Sequence, residues 1–125
     1  MKKIIIPIFF LFTNIFAALI YVPEDYGTIQ GGIDAAQAGD TVLVSQGTYN
    51  ENLMLEKEIV LSSEALFDVL DENWHLNSNI SGTIISAPDE PLNSKYGSCL
   101  VVRNNSIEPT IYGLTFSNGL GTSMS

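Results

Sequence analysis

The chain has 125 residues, 46% of them hydrophobic, with 14 acidic against 5 basic side chains and a formal net charge of −9. That length holds one modest core and leaves no room for two domains, while the charge argues against a nucleic-acid partner, because phosphate binding needs concentrated positive charge. Lys2 and Lys3 stand in an N-terminal leader, so the rest of the chain sets only Lys57, Lys95 and Arg103 against all 14 acids, a balance that favours solubility.

The leader reads "MKKIIIPIFFLFTNIFAALIYVPED": two lysines, thirteen mostly apolar residues from Ile4 to Phe16, then Ala17 and Ala18. That order predicts a secretory signal peptide over residues 1–17, export to the medium or the cell surface, and a mature chain of residues 18–125. The competing reading, an uncleaved anchor from Ile4 to Val22, is interrupted by Pro7, Thr13 and Asn14 and barely reaches the roughly 20 residues of a membrane span. Cys99 is the single cysteine, so no internal disulfide forms, and within "SCLVV" it reads as a small buried apolar side chain.

Next, "TIQGGIDAAQAGD" spaces Ile29, Ile33 and Ala36 as on one helix face, with Thr28 as N-cap and Gly39 as the stop. A short amphipathic helix is predicted from Ile29 to Ala38, weakened by Gly31 and Gly32 and so dependent on docking its apolar stripe. In "AGDTVLVSQGTYNE", Gly39 and Asp40 break the helix, Thr41 to Val44 suits a buried strand, and Gln46 and Gly47 turn the chain again. Further apolar runs follow at Leu53–Leu55, Ile59–Leu61, Thr83–Ile85, Leu100–Val102 and Ile111–Phe116, separated by Gly, Asn, Ser, Pro and acidic residues. Short strands rebuilt at uneven intervals suit a solenoid whose coils bury their apolar sides by stacking. "EALFDVLDENWHLNSNIS", with Leu66, Leu70 and Trp74 four residues apart, could form a helical turn or a loop folded over a coil, and a loop excursion is the reading adopted.

These stretches resemble the opening of right-handed parallel β-helix proteins of the pectin-lyase-like superfamily. The resemblance lies in Thr28-Ile29-Gln30, Ile33-Asp34-Ala35-Ala36, Gly39 to Val42 and Gly47-Thr48-Tyr49-Asn50-Glu51, and later in "GTIISAP" and "TIYGLTFSNGLGT". It covers about Tyr21 to Thr122 and implies an all-β fold: an incomplete right-handed parallel β-helix of two or three coils with a short N-terminal capping helix, the first part of a longer solenoid. It implies no catalytic residue, because the groups that act in the family's esterases and lyases belong to later coils.

The chemistry-bearing residues lead to the same expectation. Asp68, Asp71 and Glu72, with Asp89 and Glu90 further on, could suggest paired carboxylates or a calcium loop, but nothing in their spacing forces convergence, and a polar loop is the reading adopted. Trp74 beside His75 could stack on a sugar; packing of the loop on the coil is preferred. "SNGLGT" has glycines without a phosphate-binding lysine and is a turn. Glu51 reads as a turn carboxylate that accepts backbone N–H groups.

The expectation is therefore a secreted or surface β-helix segment with a structural, adhesive or glycan-binding role. It has no catalytic, metal or cofactor residue and no membrane span after cleavage. An extracellular polysaccharide is its candidate partner, and it self-associates through an uncapped last coil. The alternatives are the N-terminal part of a polysaccharide lyase or pectinesterase, and a small independent domain without a ligand.

Overall fold

The structure, a computed structural model, describes residues 16–89 and 97–121. The leader up to residue 15 and the side chains Glu90 and Lys95 lie outside the described residues.

Strand β1 (Leu19–Val22) is followed by helix α1 (Ile29–Ala35), then by β2 (Thr41–Val44), β3 (Gly47–Asn50), β4 (Leu53–Leu55) and β5 (Val60–Ser63). Two 3-10 turns at Glu64–Phe67 and Trp74–Leu76 and a single-turn helix α2 (Ser78–Ser81) fill the next stretch. The chain then forms β6 (Thr83–Ser86), β7 (Leu100–Val102), β8 (Thr110–Tyr112) and β9 (Thr115–Ser117). The result is mainly β.

Every described strand pair is parallel, in three sheets ordered β1-β2-β5-β8, β3-β6-β9 and β4-β7. From β2 onward the chain visits the sheets in a fixed rotation: β2, β3 and β4 enter the first, second and third, β5, β6 and β7 repeat the order, and β8 and β9 begin it again. No described hairpin joins Thr41–Val44 to Leu53–Leu55, which lie in different sheets.

The register stacks like on like. Ile20, Val42, Leu61 and Ile111 are partners in one column across the first sheet, Tyr49, Ile85 and Phe116 in one across the second, and Leu55 and Val102 pair in the third. The inner members are closed off: Val42, Leu55, Leu61 and Ile85 are all 0% exposed. Each core strand has only three or four residues, so an isolated layer could not bury its own apolar side, and the columns supply the burial.

Four local expectations are corrected. The helix ends at Ala35 rather than Ala38, because Ala36 turns to an extended backbone (ψ 148°) while its N–H still closes on the Gly32 and Ile33 carbonyls. The turn expected at Gln46 and Gly47 gives way at Gly47 to strand β3, held by the Gly47 and Glu51 N–H groups donating to Gly82 and Ser86 carbonyls. The run Ile59–Leu61 becomes β5 from Val60 to Ser63, with Ser62 and Ser63 fully buried in it. The expected strand Ile111–Phe116 is split into β8 and β9 by Gly113, whose φ of +63° suits glycine and whose missing Cβ would stand 2.8 Å from Ser63 Oγ and 2.9 Å from Ala65 Cβ.

Candidate functional site

At the β1 end of the sheets, helix α1 is lashed down by side chains far away in sequence. Thr28 caps it locally, its Oγ1 accepting the Gly31 N–H at 3.0 Å. Glu51, just after β3, accepts the Ile29 and Gln30 N–H groups at 2.9 and 3.0 Å, one per carboxylate oxygen. The expected role of Glu51 as an acceptor of backbone N–H groups holds, but the groups belong to the helix and not to its own turn. A negative charge facing free N–H groups at a helix N-terminus is a favourable electrostatic arrangement. At the other end of α1, Lys57 donates to the carbonyls of Ile33, Asp34 and Ala36 at 3.1, 2.7 and 2.7 Å. Lys57 is thereby committed to the carbonyl end of the helix, where a cation is favoured.

At this end the edges of the first and third sheets are met in part as well. Thr41 and Ser45 donate to the Ala18 and Val22 carbonyls, so by alternation Tyr21 faces away from β2. Its N–H donates to Asp25 Oδ2 at 2.9 Å, and its carbonyl accepts the Asp25 and Tyr26 N–H groups at 2.8 and 3.4 Å. In the third sheet Met54 faces away from β7, and there the Gln30 side chain imitates a neighbouring strand: the Met54 N–H donates to Gln30 Oε1 at 2.8 Å, and Gln30 Nε2 donates to the Met54 carbonyl at 3.1 Å. Asp40 ties the start of β1 to the turn before β2, its two oxygens accepting the Gln37 and Ala18 N–H groups at 2.8 Å each. Those two backbone bonds, Gln37 first, hold its carboxyl below the usual carboxylate range.

The excursion after β5 gathers Leu70, Trp74 and Ile80 against Ile111, Tyr112, Gly113 and Leu114, and the hollow between them measures about 360 Å³. Asp68 organises its polar side, accepting from Asn77 Nδ2 at 3.0 Å and Asn79 Nδ2 at 2.8 Å, which lowers its pKa. Asn79 Oδ1 in turn accepts Gln46 Nε2 at 2.8 Å, joining the excursion to the β2–β3 turn. Thr115 Oγ1 donates to the Ile80 carbonyl at 2.8 Å, which ties β9 to α2.

The other candidate residues are placed as follows. Asp71 Oδ1 accepts the Asn73 N–H at 2.8 Å in a local turn. Among the described residues no three His, Cys, Asp or Glu side chains are grouped so as to hold a metal ion. Trp74 and His75 meet edge to face with ring centroids 6.0 Å apart, and Trp74 remains 54% exposed while lining the hollow. Arg103 stands 3.8 Å from Glu56 in an exposed pair. Cys99 is buried in the core cluster, as expected, and its S–H donates to the Ser117 carbonyl at 2.9 Å. No helix among the described residues is long and apolar enough to cross a membrane.

Sequence reasoning missed the paired work of Gln30 and Lys57 and the Asp40 and Asp25 tethers. The only signal available was the motif itself, in which Gln30 and Glu51 appear among the quoted matching residues with no stated partner. Compared with family models, curated proteins and solved structures, the chain matches none.

Proposed function

We propose that the chain is the opening of a secreted right-handed parallel β-helix, a passive segment whose role is structural, adhesive or glycan-binding, with no catalysis of its own. The observation that carries this reading is the rotation of successive strands through three parallel sheets, with side-chain columns running from layer to layer. A solenoid with three strands per coil produces that order. The α1 cap supports the same reading, since a solenoid end needs a polar cover over its last apolar layer, and Thr28, Gln30 and Glu51 of the resemblance are the residues that build it here. Asp68 and Asp71, the carboxylates first weighed for catalysis, are occupied in turns and side-chain bonds of the excursion.

The test is to express the full chain with its leader in an exporting host, recover the released protein, and incubate it with pectate and with neutral polysaccharides, with and without calcium. Retarded migration through a polysaccharide gel without new reducing or unsaturated ends is the glycan-binding outcome. No retardation and no new ends leaves a structural role. Turnover that is lost on Asp68→Asn or Asp71→Asn overturns the reading in favour of an enzyme, and retention of the chain in the membrane overturns the export.

A further inference from the structure

The excursion after β5 turns its apolar side chains outward. From Leu66 to Leu76 every residue but Leu70 is exposed, and Phe67 at 65%, Val69 at 99%, Trp74 at 54% and Leu76 at 71% stand among them. Large apolar side chains gathered in the open mark a surface that meets something. The loop is held by polar groups instead. Asn77 Nδ2 donates to Asp68 Oδ2 at 3.0 Å and ties its two ends together, while Asn79 donates to the same oxygen at 2.8 Å and accepts from Gln46. A compact surface loop with joined ends is a common carrier of binding residues. It also stands beside the stack. Because β8 and β9 already lie on β5 and β6, a continuing stack adds to β8 and β9 and leaves the loop on its flank. Tyr112, which lines the hollow with Leu70, Trp74 and Ile80, shares the outward column of Leu43 and Ser62 and not the core column of Leu61 and Ile111.

We infer that this loop is a docking surface for a segment of another protein that combines lysine or arginine with large apolar side chains. Charge selects that occupant. Glu64, Asp68, Asp71 and Glu72 are all exposed in the same stretch as the apolar groups, and no Lys or Arg lies between Lys57 and Lys95. The loop therefore presents its apolar surface among its own carboxylates, on a chain of net charge −9, and a segment that covers it is matched when it brings cations. The hollow of about 360 Å³ is small for a ligand pocket, with room for a side chain of that segment against the Trp74 ring. A lysine or arginine that reaches the exposed part of the same ring adds a cation–π attraction.

The exported chain should bind a short peptide of alternating lysine and leucine about tenfold or more tightly than one of alternating lysine and serine, with calorimetry giving Kd. Trp74, the single tryptophan, should report the first peptide through its emission. Trp74→Ser and Val69→Ser should each weaken binding of the lysine–leucine peptide by about fivefold or more without changing the charge. Val69 is 99% exposed, so its variant stays folded and keeps the test decisive if Trp74→Ser does not. Equal binding of the two peptides would show plain attraction to an acidic chain and overturn the inference. So would no binding, unchanged binding by the folded variants, or a Trp74 response to a neutral polysaccharide and not to the peptide.

Discussion

Ile20 and Ile111 occupy the two ends of one side-chain column, yet Ile20 is 9% exposed and Ile111 is 38% exposed. Between them Val42 and Leu61 are fully buried, so what separates the two ends is the cover over each. Over Ile20 lies α1, whose Gly32 brings the helix backbone against Val22, Val42 and Ile20; a Cβ there would stand 3.0 Å from Val22 Cγ2 and 3.1 Å from Val42 Cγ1. That lid holds through Glu51, Lys57 and Gln30. The lesson is that a stack of short parallel strands ends cleanly only where polar groups from distant segments take over both the main-chain edge and the helix termini.

The contrast is broken most forcefully by the same truncation at each end. Ile33→Ala, on the buried side of the lid at 2% exposure, removes a side chain that helps bury the first columns; a loss of about 2–5 kcal/mol is expected, the range for emptying a buried aliphatic site. Phe116→Ala, at 41% exposure, should cost the monomer less than about 1 kcal/mol. Urea denaturation of both variants reads the difference, and equal losses would mean that the open end is as well packed as the sealed one. Next in size is the lash itself. Glu51→Ala leaves the Ile29 and Gln30 N–H groups without acceptors and should cost about 1–3 kcal/mol, while Glu51→Gln, which keeps one acceptor, should recover part of it. Hydrogen exchange should show the loss concentrated in α1 and β1 and absent from β8. Smaller again is Gly32→Ala: helix propensity gains about 1 kcal/mol, but the new methyl meets two β-branched strand residues, and overpacking of that kind costs about 1–3 kcal/mol, so net destabilisation is expected. A more stable Gly32→Ala would show that the lid has slack.

How much of this contrast could be read from the sequence depended on the range of the interaction. Thr28 as N-cap, the strand at Thr41 to Val44, and the runs at Leu53, Thr83 and Leu100 were legible because their signals are local: a capping hydroxyl, β-branched residues, turn residues on each side. Strand β1 was hidden because Leu19 to Val22 continues the apolar run of the leader. Strand β3 was hidden because "GTYN" is mostly exposed and carries no apolar alternation; it is a strand through its ladder to β6, some 36 positions on. The partnerships that define the sealed end span 21 to 24 residues, and a single chain of letters gives no pairing at that distance. The excursion was legible as an excursion, but not the Asp68, Asn77 and Asn79 bonds that hold it, since Asx residues in a polar loop read alike whether or not they converge.

The smallest expected effect separates the sealed end from the excursion by pH. Asp40 and Asp68 both have carboxyls held below the ordinary value, the first by the Gln37 and Ala18 backbone N–H groups, the second by the Asn77 and Asn79 side chains. A carboxylate with a lowered folded pKa contributes stability that is present above its unfolded value of about 3.9 and is lost as pH falls through the folded value. Stability should therefore decline in acid, but the two groups should report in different signals. Asp40 tethers Ala18 at the start of β1, so Asp40→Asn should lower the urea midpoint near neutral pH and narrow the gap to wild type in acid. Asp68 holds only the excursion, where the single tryptophan, Trp74, stands. Asp68→Asn should shift the acid transition of Trp74 emission while far-ultraviolet circular dichroism follows the wild-type curve. If both substitutions move both signals together, the lid and the excursion unfold as one unit. If Asp40→Asn leaves the midpoint unchanged near neutral pH, the tether from β1 to the turn before β2 contributes nothing to sealing that end.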